Sequence, residues 1–211
     1  MVSPALEVLR KQMREKFPQA HGVRADGVAA VEQGKPFRAE AFPMGAISEV
    51  VPVGPVAGIS LMIAGLLGDP EEASPHPELV LVDGSDAFDP ASFTGIACSK
   101  MLWVRCRSAM EMIKAADLLV HDGNMSLVLL DSCGLPRRDL VGLAAAVWWR
   151  LKLAVERNGG RLVVMATAPL VPCASLRLSL SAGLSLHDFD CSRDELLERL
   201  QATPEKIRYV T

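Results

Sequence analysis

GAISEVVPVGPVAGISLMIAGLL, residues 45–67, runs from an apolar strand pattern through glycines into an apolar helix pattern, the outline of a phosphate-binding strand, loop and helix. A working P-loop needs glycines that let the backbone curl round phosphate, a lysine that reaches the β/γ-phosphates and a Ser or Thr hydroxyl for Mg²⁺. Gly54, Gly58 and Ser60 meet the first and last requirements. Ile59 stands where the lysine belongs, and Gly54 and Gly58 enclose only Pro55-Val56-Ala57, one residue short of the motif. Isoleucine offers no charge and no donor, so a triphosphate would forgo charge-assisted hydrogen bonds worth roughly 1.5–3 kcal/mol each. The expectation is the shape of a nucleotide site without its chemistry: no catalytic residue, no cofactor and no metal.

Outward from this stretch the pattern alternates. Residues 79–82, LVLV, form a continuous apolar run ending in Asp83, which suits a strand buried on both faces of a parallel sheet. Residues 101–104 make a short strand, and Ser108 with Glu111 reads as a capping box opening a helix that stops near Asp122-Gly123. Residues 127–130 are a second buried strand, ending in Asp131, and residues 140–156 a long helix that ends at Asn158-Gly159-Gly160. Residues 161–166 are a strand, and residues 176–180 alternate in period two, with residues 184–187 as a hairpin partner. Ser192 and Glu195 form another capping box, opening a last helix to Gln201, and residues 207–210 add a final strand. Strands alternating with helices predict a three-layer α/β sandwich, its central sheet mostly parallel with antiparallel strands at the C-terminal side.

Before this core, Leu6, Leu9, Met13 and Phe17 recur at helical spacing among charges, and Pro18 closes the segment. Residues 1–42 thus form a helix and connector, and residues 43–211 the core. The amphipathic stripe fits packing on its own body and packing on a neighbour equally. Residues 69–77, DPEEASPHP, read as an acidic surface loop.

At 211 residues and 50% hydrophobic, the chain is long enough for one sizeable core. A net charge of −3 carries no global basic footprint, so nucleic-acid binding is weak at most and local. Five scattered cysteines with no Cys-x-x-Cys pair argue for reduced thiols in a cytoplasm. No uncharged stretch reaches the roughly 18 residues that span a bilayer, and the charged start excludes a signal peptide, so no membrane is expected.

Over residues 45–183 this order of pieces resembles the RecA superfamily. LVDGSDAFDP, residues 81–90, resembles the RecA segment after the second core strand, and LVLLDSCGLP, residues 127–136, resembles the Walker B strand. MLWVRCRSAMEMIKAADLLVHDG between them is similar in order and length to the strand and helix found there. The resemblance puts Asp131 and Ser132 in metal-side positions and Asp83 beside them. It also places Ser85 where RecA proteins carry the acidic residue that prepares the attacking water. With both lysine and glutamate absent, ATPase activity is not expected. The two RecA loops that carry single-stranded DNA are cut to Arg137-Arg138-Asp139 and TAPLVPCAS, neither of which offers a basic groove with stacking aromatics.

A RecA-like body without nucleotide chemistry, preceded by ALEVLRKQM and FPMGAISEV, resembles the ImuA and SulA branch, ImuA more closely. The resemblance implies a DNA-damage-response accessory that binds proteins: RecA, or ImuB-like or DnaE2-like polymerase components. It also implies a homo-oligomer through the N-terminal helix. Three other readings stay open: a SulA-like division inhibitor that binds FtsZ, an active NTPase with an irregular P-loop, and a DNA-binding RecA paralogue.

Other features carry weaker signals. Trp148 and Trp149 cannot both face inward, since adjacent helical residues point about 100° apart, so one of them is a core-margin residue or a partner contact. Arg137 and Arg138 read as a solvated loop or a contact to phosphate or an acidic partner. HDFDC, residues 187–191, gathers ligand types but has no second cluster to complete a zinc site, so a turn is expected. Cys133 reads as a buried structural thiol, with no contact to His121 expected.

Overall fold

The structure, a computed structural model, describes residues 37–54, 58–68, 78–93 and 95–205. The N-terminal stripe of Leu6, Leu9, Met13 and Phe17, the acidic segment 69–77 and the expected final strand 207–210 lie outside the described residues.

The strands are β1 (Ala46–Pro52), β2 (Leu79–Asp83), β3 (Met101–Arg105), β4 (Leu127–Asp131), β5 (Arg161–Met165), β6 (Leu176–Ser181) and β7 (Gln201–Pro204). They form one sheet in the order β3-β2-β4-β5-β1-β6-β7. The pairings from β3 across to β6 are all parallel, and only β7 runs antiparallel, against β6. Between the strands lie α1 (Ile59–Leu67), α2 (Gly95–Ser99), α3 (Ala109–Asp122), α4 (Arg137–Val141), α5 (Ala145–Asn158) and α6 (Arg193–Glu198).

The period of two along each strand builds a separate core on each face of the sheet. Val80, Val82, Val128, Leu130, Leu162 and Val164 face α3 and α5, where they meet Met112, Ala116, Trp148 and Leu151. Their alternates, Leu79, Leu81, Leu127, Leu129, Val163 and Met165, face α1 and meet Met62, Ile63 and Leu67. The result is a three-layer α/β sandwich, and it explains why these strands are apolar except at Asp83, Asp131 and Arg161 on their ends. Phe37 and Phe42, from the stretch read as connector, are buried in the α1-side core, and Arg161 Nε donates to the Phe42 carbonyl at 2.8 Å.

Helix ends follow local chemistry. The Ser108 hydroxyl accepts from Glu111 N, and Gly123 closes α3 in the left-handed region. Glu111 reaches back to the N–H of Arg107 rather than to that of Ser108, so the expected box is shifted by one residue. At Ser192 the reciprocal box with Glu195 is complete.

Three expectations need correction. The helix expected over residues 140–156 is two helices: α4 ends at Val141, Gly142 caps it, and Ala144 in an extended conformation starts α5. Glycine weakens helix continuity, and here it releases the chain to turn. Residues 184–187 do not pair with β6; Leu186–Asp190 is a 3₁₀ turn, and the antiparallel partner is β7, with Leu180 opposite Ala202. The last helix therefore stops at Glu198, because Gln201 already belongs to that strand.

Candidate functional site

The parallel strands β1, β2, β4 and β5 end on one edge of the sheet, the edge at which open α/β sheets bind ligands. β1 leads into Gly54, with φ +90°, and Gly58, with φ +68°, precedes α1. Residues 55–57 of the loop between them lie outside the described residues.

Gly58 has a packing reason as well as a conformational one. A Cβ there would lie 2.6 Å from Leu200 Cδ1 and 3.1 Å from the Ala182 Cβ, so the C-terminal arm presses on the mouth of α1. Ile59, at the lysine position, packs against the α1-side core, while Ser60 next to it is exposed.

Asp83 and Asp131 end neighbouring strands and stand in register, and Gly84 N donates to the Asp131 carbonyl at 2.9 Å. Asp83 is fully buried. Its Oδ1 accepts from Ser85 N at 3.2 Å and Ala87 N at 3.1 Å, and its Oδ2 from Phe88 N at 2.8 Å and Trp103 Nε1 at 3.3 Å. An ionised carboxylate has about four lone-pair sites. All four are engaged by donors from the chain, so Asp83 organises the loop after β2 and has none left for a cation. Phe88 packs edge-on against Trp103 with centroids 5.3 Å apart. Arg105 clamps Asp86 through both carboxylate oxygens at 2.6 and 2.7 Å, with Asp86 itself at φ +56°.

Asp131 keeps a single backbone donor, Cys133 N at 2.9 Å. Burial pushes its carboxyl above the ordinary aspartate range, the hydrogen bonds from Cys133 oppose the shift, and the neighbouring Asp83 adds to it. Ser132, at the other metal-side position, is buried and donates its hydroxyl to the Met165 carbonyl at 2.7 Å, locking β4 to β5. Ser85 sits against Gly134, whose hypothetical Cβ would fall 2.2 Å from the Ser85 Oγ. That hydroxyl is buried with no hydrogen-bond partner among the described residues. Asp83, Ser85, Asp131 and Ser132 are thus brought together at the strand ends, each tied to the protein's own backbone or packed against it.

The remaining candidates lie elsewhere. Arg137 and Arg138 are exposed on α4, where Arg138 approaches Asp139 at 3.6 Å. Trp148 is 2% exposed in the core and Trp149 is 50% exposed on α5, its ring met by the Lys152 ammonium at 5.3 Å. His187 and its neighbours form the expected turn. Asp188 accepts from the N–H and hydroxyl of Ser185 and pairs with Arg199, which together hold its carboxyl down at about 2. No group of three metal-ligating side chains occurs among the described residues. Burial raises the Cys133 thiol far above its usual range, and the adjacent Asp131 adds to this; His121 meanwhile contacts the Asp117 carbonyl.

Sequence reasoning missed one buried ion pair. Glu49 on β1 is fully buried and meets Arg177 Nε of β6 at 2.7 Å, while Leu170 N and Val171 N donate to its other oxygen. The available signal was a single charge in each of two otherwise apolar or alternating strands, ISEVV and LRLSL. Among the described residues no helix is long and apolar enough to cross a membrane. No protein-family model matches the chain, and no curated protein is significantly similar to it.

Proposed function

We propose that the chain is a non-catalytic, RecA-like accessory protein of the bacterial DNA-damage (SOS) response. It works in the cytoplasm by binding RecA, a translesion polymerase-like partner, or both. A three-layer fold hosts many activities and supports no one of them by itself. What supports the reading is the wiring of the strand ends. Ile59, partly buried, packs against the core, Asp83 is saturated by four donors, and the Ser132 hydroxyl is spent on Met165. Phosphoryl transfer needs charge stabilisation at the transferred group and a positioned nucleophile, and these residues are committed to holding the scaffold instead. A scaffold that keeps its ancestral shape without that chemistry acts through its surface.

The experiment is a binding assay with purified chain against purified RecA and an ImuB-like polymerase, with FtsZ polymerisation measured in parallel. Retention of RecA or the polymerase supports the proposal. Retention of neither sinks it, and inhibition of FtsZ assembly moves the function to cell division.

A further inference from the structure

The outer faces of α3 and α5 carry a feature unrelated to the strand ends. The two helices are laced together by Arg150, which reaches Asp117, and by Asn158 Nδ2, which donates to the Val120 carbonyl at 2.7 Å. Between them lies a concavity of about 390 Å³ lined by His121, Arg150, Leu153, Ala154 and Arg157. Leu153 is 66% exposed and Leu118, on α3, is 72% exposed, while Trp149 stands one turn before Leu153. Positive charge in the last turns of α3 and α5 complements their dipoles, which accounts for His121 and Arg157 alone. It does not account for Leu153 standing exposed in the groove wall, or for Leu118 and Trp149 standing exposed on the same two helices, which solvent would keep polar.

The charged side chains that line the groove are basic, Arg150 and Arg157, while the exposed acids of the same two helices, Glu111, Asp122 and Glu156, do not line it. Asp117 is already shared by Arg150 and His121, and Arg157 has no acidic partner among the described residues. We propose that the α3–α5 groove docks an amphipathic helix of a protein partner whose polar face is acidic. Its apolar side chains cover Leu153 and Leu118, and a carboxylate meets Arg157, the helix-in-groove mode of recognition. A second copy seated face to face would set Arg150 and Arg157 against themselves, and like charges across an interface suppress such pairing. A lipid surface fits less well, because the site is concave and its wall is an ion pair rather than an insertable apolar face. The inference does not depend on the nucleotide site or on which damage-response protein is bound.

The test uses the full chain and fluorescein-labelled helical peptides of about eighteen residues, with leucines on one face and glutamates on the other. A twin carries lysine for every glutamate, and phosphatidylglycerol vesicles form a third arm. Anisotropy is expected to show binding of the glutamate peptide, weakened about tenfold or more by Leu153→Asp and by Arg157→Glu. Arg107→Glu, ahead of the opposite end of α3, is expected to leave it unchanged. Leu118→Asp is a third variant at a site exposed enough to leave folding intact, checked by the urea midpoint. Binding of the lysine twin with equal affinity, indifference to the Leu153 and Arg157 changes, no binding of either peptide, or binding to the vesicles instead would each overturn the proposal.

Discussion

Arg177→Leu removes the cation that faces Glu49 while keeping most of the apolar stem that packs between β6 and the loop at Leu170. Glu49 is 0% exposed, and Arg177 supplies one of its three bonds, at 2.7 Å; Leu170 N at 2.5 Å and Val171 N at 3.0 Å supply the others. The variant leaves a buried carboxylate held by two neutral donors, and breaking a buried pair from one side costs about 3–5 kcal/mol. For a chain of this size each kcal/mol is worth about 2–4 °C, so the melting midpoint should fall by about 6–20 °C. Adding Glu49→Gln removes the stranded charge. The glutamine carbonyl still accepts from the loop N–H groups, and its amide can use the Val171 carbonyl that the Arg177 guanidinium leaves free. The double variant should therefore recover at least half of the loss. Urea unfolding followed by far-ultraviolet circular dichroism reads both quantities, provided the slope is unchanged. A cost below about 1 kcal/mol for Arg177→Leu, or a double variant no better than the single, would show that Glu49 does not depend on this partner.

Three further outcomes follow from the same structure. Gly58→Ala should destabilise by about 1–3 kcal/mol in urea, because the new methyl meets Leu200 and Ala182 and the backbone sits at φ +68°. Trp148→Ala should cost about 3–5 kcal/mol while Trp149→Ala costs less than about 1 kcal/mol, and with the partly buried Trp103 common to both, acrylamide should quench Trp148→Ala, which keeps the exposed Trp149, more readily than Trp149→Ala. For Asp131 the folded carboxyl titrates above its unfolded value of 3.8, so the folded state binds the proton more tightly. Wild-type stability relative to Asp131→Asn should then be highest below that value and decline as pH rises through the folded pKa, in denaturation midpoints taken across acid and neutral pH.

The sheet was legible because its strands are covered on both faces: LVLV and LVLL admit almost no other placement in a chain with alternating helices. Both ends of α3 and the start of α6 were legible through Ser108, Gly123 and the Ser192 box, whose chemistry is local. What escaped was decided at a distance. Residues 140–156 have a helical period on both sides of Gly142, and only the packed structure shows the chain turning there. β6 has an edge that two nearby segments could fill, and period two does not choose between them. At the candidate site, the identities of Ile59 and Ser85 were readable, whereas the roles of Asp83 and Ser132 were not. Their partners, Trp103 and Met165, come from neighbouring strands, and a sequence states neither the contact nor its saturation.

Titration calorimetry of the full chain with ATP and Mg²⁺ decides whether the strand-end pocket, with Ile59 and Ser85 where charged groups would stand, still takes nucleotide. No saturable heat is expected up to millimolar nucleotide. A micromolar affinity that disappears in Asp131→Ala would contradict that expectation.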